Sequence, residues 1–519
     1  MSTALHRTTR CSVEDVTYSY PGTQEPALDS VSIALEGGIT AISGASGSGK
    51  STLLRLLNGL VPNFHGGRIR GRVDVAGMDA MHTSTARLAR EVGFVFQDPE
   101  TQVVRARVVD EVAFALENTA LAEAQIGDRV EWALAAAGIG GLRDRTTASL
   151  SGGERQRLAI AAAIALRPAV LALDEPTSQL DPAGAAEVLR ACVDLARGGT
   201  SVVISEHRCT GLLPLADRLA VMARGVLRGP GPVREMALSM DDPPQLVALA
   251  RALGWDPPAL SVSEAAGLAP ALSRSVPGGR PIVGEPAWEL RGCTAGHSGV
   301  AAFANVDLTG VAGTITVLMG PNGGGKTTLL RTVAGLHRPL AGSAWRRPGR
   351  IAYLPQDPAV LLHRRSVQDE VDYTLRRARS DEPRDLVLRR LGLADLAPRY
   401  PGDLSSGQRQ RAALAAILAG GPTLVLLDEP TRGMDLPARR ALVQILREMA
   451  SGGAGVVVAT HDTDLAVELA DRVVFVADGA VRDGGSPDAA LSGPGVFSTD
   501  IGRLYPGGPV TVEGVLSCL

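Results

Sequence analysis

The chain has 519 residues, 52 cationic side chains against 55 acidic ones, and a formal net charge of -3. This length exceeds what one hydrophobic core usually supports, so at least two domains are expected. The balanced charge and an aromatic content of 3% argue against nucleic acid as a partner, since there is neither a strong cationic surface nor an abundance of stacking rings. Among the cations, 50 are arginine and only Lys50 and Lys326 are lysine.

Other composition features bear on where the protein works. The longest purely apolar run that we find spans residues 158–166, well short of the ~20 residues of a membrane-spanning helix, so none is predicted. The first residues contain no apolar stretch with a cleavage site, and no secretory signal is predicted. The five cysteines are odd in number and contain no CxxC pair, which is typical of reduced thiols in the cytosol.

The first motif along the chain is a glycine-rich loop at residues 44–51, which reads GASGSGKS and fits the pattern G-x-x-x-x-G-K-[ST]. It stands between a strand-like and a helix-like apolar stretch. Its glycines allow backbone N–H groups to surround an anion, and the following helix N-terminus adds its dipole. Lys50 then reaches the outer phosphates, where a slim ammonium fits and a broad guanidinium does not. Ser51 places a hydroxyl on Mg²⁺. The loop glycines are Gly44, Gly47 and Gly49.

Four further features follow in the first half. Gln97 lies in FQDP, and residues 150–157 read LSGGERQR. Asp174 and Glu175 follow an apolar run, where the first can hold the Mg²⁺ shell and the second can orient and deprotonate a water. His207 closes the next apolar run, as expected of a side chain at the carboxyl edge of a parallel sheet, and we predict a role for it at the γ-phosphate.

The same motifs recur in the second half. The phosphate loop GPNGGGKT occupies residues 320–327, and LSSGQRQR occupies residues 404–411. The matching single residues are Gly320, Gly323, Gly325, Lys326, Thr327, Gln356, Asp428, Glu429 and His461. The chain therefore contains an internal repeat of one module, and a repeat of this kind predicts two copies of one fold.

The repeat also predicts the domain limits. The two modules span residues 10–228 and 287–485. Residues 229–286 are rich in Pro, Gly and Ser and slightly acidic, which indicates a linker with one short helix at 245–253. Residues 486–519 form a tail of similar composition.

Together these motifs resemble a tandem of ATP-binding cassette (ABC) ATPase domains. The LSGG-type motif between Gln97 and Asp174 makes the resemblance specific, since a phosphate loop alone indicates only an NTPase. The resemblance implies an α/β fold with two P-loop NTPase domains of ABC type, each with a RecA-like core, an antiparallel β subdomain and a helical signature subdomain. It also implies ATP hydrolysis with Mg²⁺, and a head-to-tail sandwich in which the two halves hold two ATP molecules.

The resemblance assigns roles residue by residue. The catalytic residues it implies are Glu175, His207, Glu429 and His461. The Mg²⁺ residues it implies are Ser51, Gln97, Asp174, Thr327, Gln356 and Asp428. Beyond the phosphate loops, it places ATP at Tyr20, Thr52, Thr328, Ser151, Gly152, Gly153, Ser405, Ser406 and Gly407. The first phosphate site would face residues 405–408, and the second would face residues 151–154. Two positions depart from the family pattern: Ser406 replaces the first signature glycine, and the second half has only His297 where Tyr20 would stack on adenine.

The segment after Gln97 resembles the FQNPDxQ stretch of energy-coupling factor (ECF) ATPases and their cobalt-transporter relatives. This implies a peripheral protein on the cytoplasmic face of the cell membrane, with an integral T component and a substrate-binding S component as partners. The transported substrate would be a vitamin, a vitamin precursor or a transition metal. Asp98, Glu100 and Asp357 are expected to offer negative charge to arginines of the T component. The alternatives are a sugar-type importer ATPase and a soluble ribosome-associated ATPase of the ABC-F type.

Overall fold

The computed structural model describes residues 11–119, 121–273, 282–297 and 299–519, apart from the side chain of Glu100. The chain folds as two compact units, and the division between them falls after Leu268.

The first unit contains two sheets. Its strands are β1 (Cys11–Ser19), β2 (Leu28–Leu35), β3 (Gly38–Ser43), β4 (Arg68–Val75), β5 (Met78–Asp79), β6 (Val92–Val95), β7 (Val170–Asp174), β8 (Ser201–Glu206), β9 (Arg218–Ala223) and β10 (Val226–Pro232). One sheet is antiparallel with the order β2-β1-β4-β5. The other has the order β10-β9-β3-β8-β7-β6 and is parallel except between β9 and β10. The central strands β7 and β8 are buried along their whole length, as expected of a parallel sheet covered on both faces.

Ten helices accompany these sheets in the described part of the first unit. They are α1 (Lys50–Leu57), α2 (Leu60–Asn63), α3 (Thr85–Leu88), α4 (Val108–Glu117), α5 (Glu123–Ala136), α6 (Gly152–Ile164), α7 (Pro182–Arg197), α8 (Val233–Ala237), α9 (Gln245–Leu253) and α10 (Val262–Ala265). A capping residue in the sequence fixes where the longest of these helices, α7, begins. Asp181 accepts a hydrogen bond from the Gly184 N–H and precedes a proline at the first position of α7.

The second unit repeats this arrangement. Its strands are β11 (Pro286–His297), β12 (Val300–Val311), β13 (Ile315–Met319), β14 (Ala341–Arg346), β15 (Ile351–Leu354), β16 (Leu424–Asp428), β17 (Gly455–Ala459), β18 (Arg472–Ala477) and β19 (Ala480–Gly485). The antiparallel sheet has the order β12-β11-β14. The larger sheet has the order β15-β16-β17-β13-β18-β19 and is parallel except between β18 and β19.

The helices of the second unit include three in the predicted tail. They are α11 (Lys326–Ala334), α12 (Val367–Ala378), α13 (Arg384–Arg390), α14 (Ser406–Leu418), α15 (Leu436–Ser451), α16 (Thr463–Leu469), α17 (Pro487–Ala490), α18 (Asp500–Leu504) and α19 (Val512–Cys518). The predicted architecture, two α/β domains with an antiparallel sheet and a helical part each, is confirmed.

The observed limits differ from the predicted domain boundaries. β10 continues four residues past position 228, because its hairpin with β9 extends to the Pro232–Arg218 pair. Helix α9 begins and ends where the sequence predicted a helix, but its apolar face is buried in the first unit. Arg251 on α9 donates hydrogen bonds to the carbonyls of Ala237, Leu238 and Met240. The first part of the predicted linker is therefore an extension of the first unit.

The tail is also built into its unit. The Ser273 hydroxyl donates to the carbonyl of Cys518 at 2.9 Å, and the Tyr505 hydroxyl donates to the carbonyl of Pro270 at 3.2 Å. The start of the second unit is thus held by its last helices. Within the described ranges, no helix combines the length and the apolar character that a membrane span requires.

Candidate active sites

Each phosphate loop connects the end of a central strand to a helix. In the first unit, the loop joins β3 to α1, and Gly47 and Gly49 have φ values of 75° and 108°. In the second unit, the loop joins β13 to α11, and Gly323 and Gly325 have φ values of 77° and 101°. These left-handed conformations favour glycine strongly over other residues. A Cβ at the loop's first glycine would collide with the Met222 carbonyl in the first unit and the Val476 carbonyl in the second.

The two lysines are buried against their own loops. Lys50 is 3% exposed, and its Nζ donates to the carbonyls of Gly44 at 2.7 Å and Ala45 at 3.0 Å. Lys326 is 6% exposed and donates to Gly320 at 2.7 Å and Pro321 at 2.9 Å. The ammonium group therefore occupies a narrow space lined by carbonyl oxygens, and a guanidinium group would need more room.

In the first unit, the acidic pair lies at the end of β7. Asp174 is 2% exposed and accepts a hydrogen bond from the Ser205 hydroxyl at 2.7 Å. Glu175 has φ 48°, a left-handed conformation that is rare for a side chain of this size and is concentrated at functional sites. Its carboxylate accepts a hydrogen bond from Gln97 Nε2 at 2.7 Å and lies 3.6 Å from Lys50 Nζ. Burial raises the pKa of Glu175, although the charge of Lys50 opposes the rise.

In the second unit, the equivalent acids have different partners. The Thr327 hydroxyl donates to Asp428 at 2.6 Å, and burial raises the pKa of Asp428 to about 6. Glu429 also has φ 48°. Its carboxylate oxygens lie 3.1 Å from the Thr460 hydroxyl and 2.8 Å from His461 Nδ1. Burial disfavours the charged imidazole of His461, but the charge and hydrogen bond of Glu429 outweigh this effect and raise its pKa.

The donor set at each strand end fits Mg²⁺ bound with a nucleotide. Hydroxyl, carboxylate and amide oxygens are the protein ligands that this hard cation prefers. Thr327 and Asp428 already meet at hydrogen-bond distance. Ser51 follows Lys50 in α1, and Gln97 approaches Glu175. Gln356 is exposed after β15. Gln97 and Lys50 thus meet Glu175 in the first unit, and in the second Thr327 meets Asp428 while His461 meets Glu429.

The predicted adenine residues lie beside the phosphate-loop helices. Tyr20 directly follows β1, and its hydroxyl is 3.1 Å from the Thr52 hydroxyl in α1. At the matching place in the second unit, the His297 ring stacks on His337 with centroids 5.9 Å apart. The aromatic ring predicted to stack on adenine is thus present in the first unit, and an imidazole pair takes its place in the second. Thr328 follows Thr327 in α11.

The signature segments begin helices α6 and α14. Ser151 accepts a hydrogen bond from the Glu154 N–H at 3.3 Å, and Ser405 accepts one from the Gln408 N–H at 3.3 Å. The Glu154 and Gln408 side chains accept hydrogen bonds in return, which completes a capping box at each helix. Both capping serines are exposed, so each unit presents the N-terminus of a 13-residue helix, which favours anions, at its surface. The following signature residues, Gly152, Gly153, Ser406 and Gly407, lie in the first turns.

Sequence reasoning missed the residues that immediately precede the two histidines. Glu206 is buried at the end of β8, and its carboxylate accepts hydrogen bonds from the Thr177 N–H and hydroxyl. Thr460 holds the equivalent position and contacts Glu429. The sequence could have indicated both residues, because each directly precedes His207 or His461 at the end of the same apolar run.

Further along the chain from each glutamine, a buried glutamate and an arginine–aromatic pair recur in both units. Glu111 is 5% exposed and accepts hydrogen bonds from the Val104 N–H at 2.9 Å and the Arg105 N–H at 2.6 Å. The Arg105 guanidinium lies over the Phe114 ring, 4.8 Å from its centroid, and the Phe114 side chain is 39% exposed.

The second unit repeats this arrangement. Glu370 accepts hydrogen bonds from the His363 and Arg364 N–H groups. Arg364 lies 4.1 Å from the centroid of the Tyr373 ring, which is 40% exposed. We call the Arg105–Phe114 and Arg364–Tyr373 pairs, with their loops, the first and second aromatic surfaces. Sequence reasoning did not identify these pairs.

The acids predicted to meet a partner precede these surfaces in sequence. Asp98 is half-buried. Asp357 is exposed and accepts a hydrogen bond from the Ala359 N–H at 2.9 Å, which caps the 3-10 turn Pro358–Leu361. The side chain of Glu100 lies outside the described residues.

Comparison with known proteins identifies the family. A family model described as ABC transporter matches residues 28–178 and 303–432. The chain is 38% identical to an ABC transporter ATP-binding protein of Streptomyces coelicolor, over 98% of this chain and 99% of that protein. It is 35% identical to another of Methanosarcina acetivorans, over 93% of this chain and 86% of the relative.

A solved structure shares the fold. An archaeal ribosome recycling factor, solved with an archaeal ribosomal stalk protein, has a TM-score of 0.60 and 24% identity, over 90% of this chain and 89% of that one. The likeness to this structure shows the fold alone, whereas the family match and the two relatives show the family. The chain belongs to the ABC transporter family, and it is an ATPase with two ABC domains that bind ATP.

Proposed function

We propose that the chain is the ATP-hydrolysing energy-coupling subunit of an ECF-type importer for a vitamin, a vitamin precursor or a transition metal. In this proposal it binds peripherally to the cytoplasmic face of the membrane through an integral T component, and a separate S component binds the substrate. The observation that carries the proposal is the pair of aromatic surfaces, one in each unit, which follow Gln97 and Gln356 in sequence.

The aromatic surfaces have the properties of a docking site for a helix. In each unit, an exposed valine precedes the exposed ring along the chain: Val104 at 63%, and Val360, in the 3-10 turn Pro358–Leu361, at 54%. Buried Glu111 and Glu370 hold the loops before α4 and α12 through two backbone N–H groups each. Exposed apolar side chains that follow an acidic residue in sequence suit an amphipathic partner segment that carries arginine.

Within each unit, the proposed chemistry uses the residues around the strand ends. The phosphate-loop N–H groups and the buried lysine bind the phosphates, and Tyr20 stacks on adenine in the first unit. Thr327 and Asp428, with Ser51, Asp174 and the two glutamines, would hold Mg²⁺, which neutralises phosphate charge when it is bound.

Two acids and two histidines complete the proposed mechanism. Glu175 and Glu429 orient a water and take its proton, and the raised pKa of Glu175 favours that proton transfer. His207 and His461 lie at the neighbouring strand ends and contact the γ-phosphate. The exposed, capped starts of α6 and α14 support the further proposal that each signature segment completes the nucleotide site of the other unit.

Copurification from membranes tests the proposal. Tagged chain isolated from its native membranes is expected to bring down a small integral protein of the T type. The double charge reversal Asp98→Arg with Asp357→Arg is expected to reduce that recovery at least fivefold. Asp242→Arg, which changes an exposed acid in a bend remote in sequence from both aromatic surfaces, is the matched control and should change nothing.

Two results would contradict the proposal. Recovery of ribosomal proteins in place of an integral membrane protein would favour a ribosome-associated ATPase. Unchanged recovery of the membrane protein with the double reversal would remove Asp98 and Asp357 from the interface.

A further inference from the structure

A buried carboxyl group that the proposed mechanism does not use lies next to the first active site. Glu206 is the last residue of β8 and is 3% exposed. Burial raises its pKa to about 8, and the nearby charge of Glu175 adds to the rise while the bonds from Thr177 oppose it. A buried carboxyl group is retained only when it is hydrogen-bonded, because its desolvation otherwise destabilises the fold.

The partner of Glu206 is the segment that carries the catalytic acid. Glu206 Oε1 accepts hydrogen bonds from the Thr177 N–H at 2.9 Å and from the Thr177 hydroxyl at 2.7 Å. Thr177 lies two residues after Glu175, and Glu206 lies one residue before His207. One side chain therefore connects the two segments that present Glu175 and His207.

The second unit connects the same two segments in another way. Thr460 takes the place of Glu206, and its hydroxyl lies 3.1 Å from a carboxylate oxygen of Glu429. His461 Nδ1 lies 2.8 Å from the other carboxylate oxygen. In the second unit, Glu429 itself therefore connects its own segment to the strand end that carries His461. In the first unit, the carboxylate of Glu175 is turned to Gln97 and Lys50.

We propose that Glu206 is a positioning residue of the first active site, which fixes the Glu175 segment against the His207 strand end through Thr177. The inference rests on the proposed catalytic roles of Glu175 and Glu429. Glu175 has a left-handed backbone conformation, and such strained positions persist only where the surroundings hold them. The two bonds to Thr177 supply part of that restraint.

The test measures turnover at the first site alone, with the full-length chain in a Glu429→Gln background. Glu206→Gln keeps an oxygen that accepts both Thr177 bonds, so kcat is expected to stay within about twofold of the background. Glu206→Ala leaves both donors without their acceptor, and kcat is expected to fall about tenfold. The KM for ATP should change less than about twofold, since the phosphate loop is untouched.

Two further variants keep the test decisive. Thr177→Val removes only the hydroxyl donor and is expected to lower kcat about threefold, so it serves if Glu206→Ala does not fold. Glu206→Ala in a Glu175→Gln background, where the first site is silent, is the matched control. Turnover at the second site should then be unchanged.

Several outcomes would overturn the inference. They are wild-type-like turnover of Glu206→Ala, a loss in Glu206→Gln as large as that in Glu206→Ala, and an equal loss at both sites. Full activity of the Glu175→Gln, Glu429→Gln double variant would instead overturn the catalytic roles on which the inference rests.

Discussion

Glu175 and Glu429 occupy the same left-handed backbone position after equivalent strands, yet different side chains hold their carboxylates. Gln97 and Lys50 surround Glu175, whereas Thr460 and His461 surround Glu429. The first arrangement links the proposed catalytic acid to the glutamine that precedes Asp98 in sequence. The second links it to the histidine within the same site. Two copies of one motif set thus have different hydrogen-bond networks, and the residue before each histidine differs as well.

The largest expected effect comes from removing the acids themselves. Glu175→Gln and Glu429→Gln should each lower turnover at their own site by about 100-fold or more, as expected for loss of a general base. Steady-state ATPase should fall to about half in each single variant and below about 2% in the double variant. Very unequal residual activities would show that only one site hydrolyses ATP efficiently.

The next effect concerns the two lysines. Lys50→Arg and Lys326→Arg conserve charge, yet each should lower ATP affinity or turnover at its own site about tenfold, because a guanidinium does not fit beside the loop carbonyls. Titration with a fluorescent ATP analogue and ATPase assays measure the two quantities. Arg377→Lys, the reverse exchange at an exposed helix position, is the control and should be silent. If both lysine variants behaved like the wild type, the size of the guanidinium group would not explain why lysine occupies these two positions.

The pair of His461 and Glu429 predicts a pH dependence of stability in the nucleotide-free chain. The pKa of His461 is raised in the folded state, so the stabilisation from its charged form is complete below about pH 6.5 and is lost as the pH rises through the raised value.

Thermal unfolding tests this pH dependence. His461→Gln should lower the unfolding temperature of the second unit by about 2–4 °C more at pH 6 than at pH 9. Thr460→Val removes a hydrogen bond to Glu429 from a hydroxyl that does not titrate in this range, so it should have the same effect at both pH values. An equal effect of His461→Gln at both pH values would contradict the expected charge on His461.

The smallest effect is expected at the signature segments. Ser406 lies in the first turn of α14 and is exposed, so Ser406→Gly should change ATPase activity less than about twofold. Gly152→Ser is the matched change in the first unit, where a Cβ meets its nearest side chain only at 3.9 Å. Gly407→Ala should be more damaging than either, because its Cβ would collide with the Gly433 carbonyl. A tenfold gain from Ser406→Gly would show that the serine obstructs the site.

Much of the fold followed from local patterns. The glycine loops and the short helix α9 could be predicted because each depends on residues adjacent in sequence. The boundary of the first unit could not. The Pro-rich composition of residues 229–268 indicated a linker, but Leu246, Val247 and Leu249 are buried, and Val247 belongs to the same core as residues of β3, β7 and β8.

The sequence by itself determined the tandem ABC architecture and the residue types proposed for catalysis, because phosphate loops and strand-end acids belong to short motifs with a characteristic spacing. The two lysines among 52 cations already marked both phosphate loops. Only the tertiary structure decided which groups touch Glu175 and Glu429. Those contacts join residues from separate strand ends, and they differ between two sites that carry the same motifs. The motifs determine which side chains are present at each site, and tertiary packing determines which of those side chains contact one another.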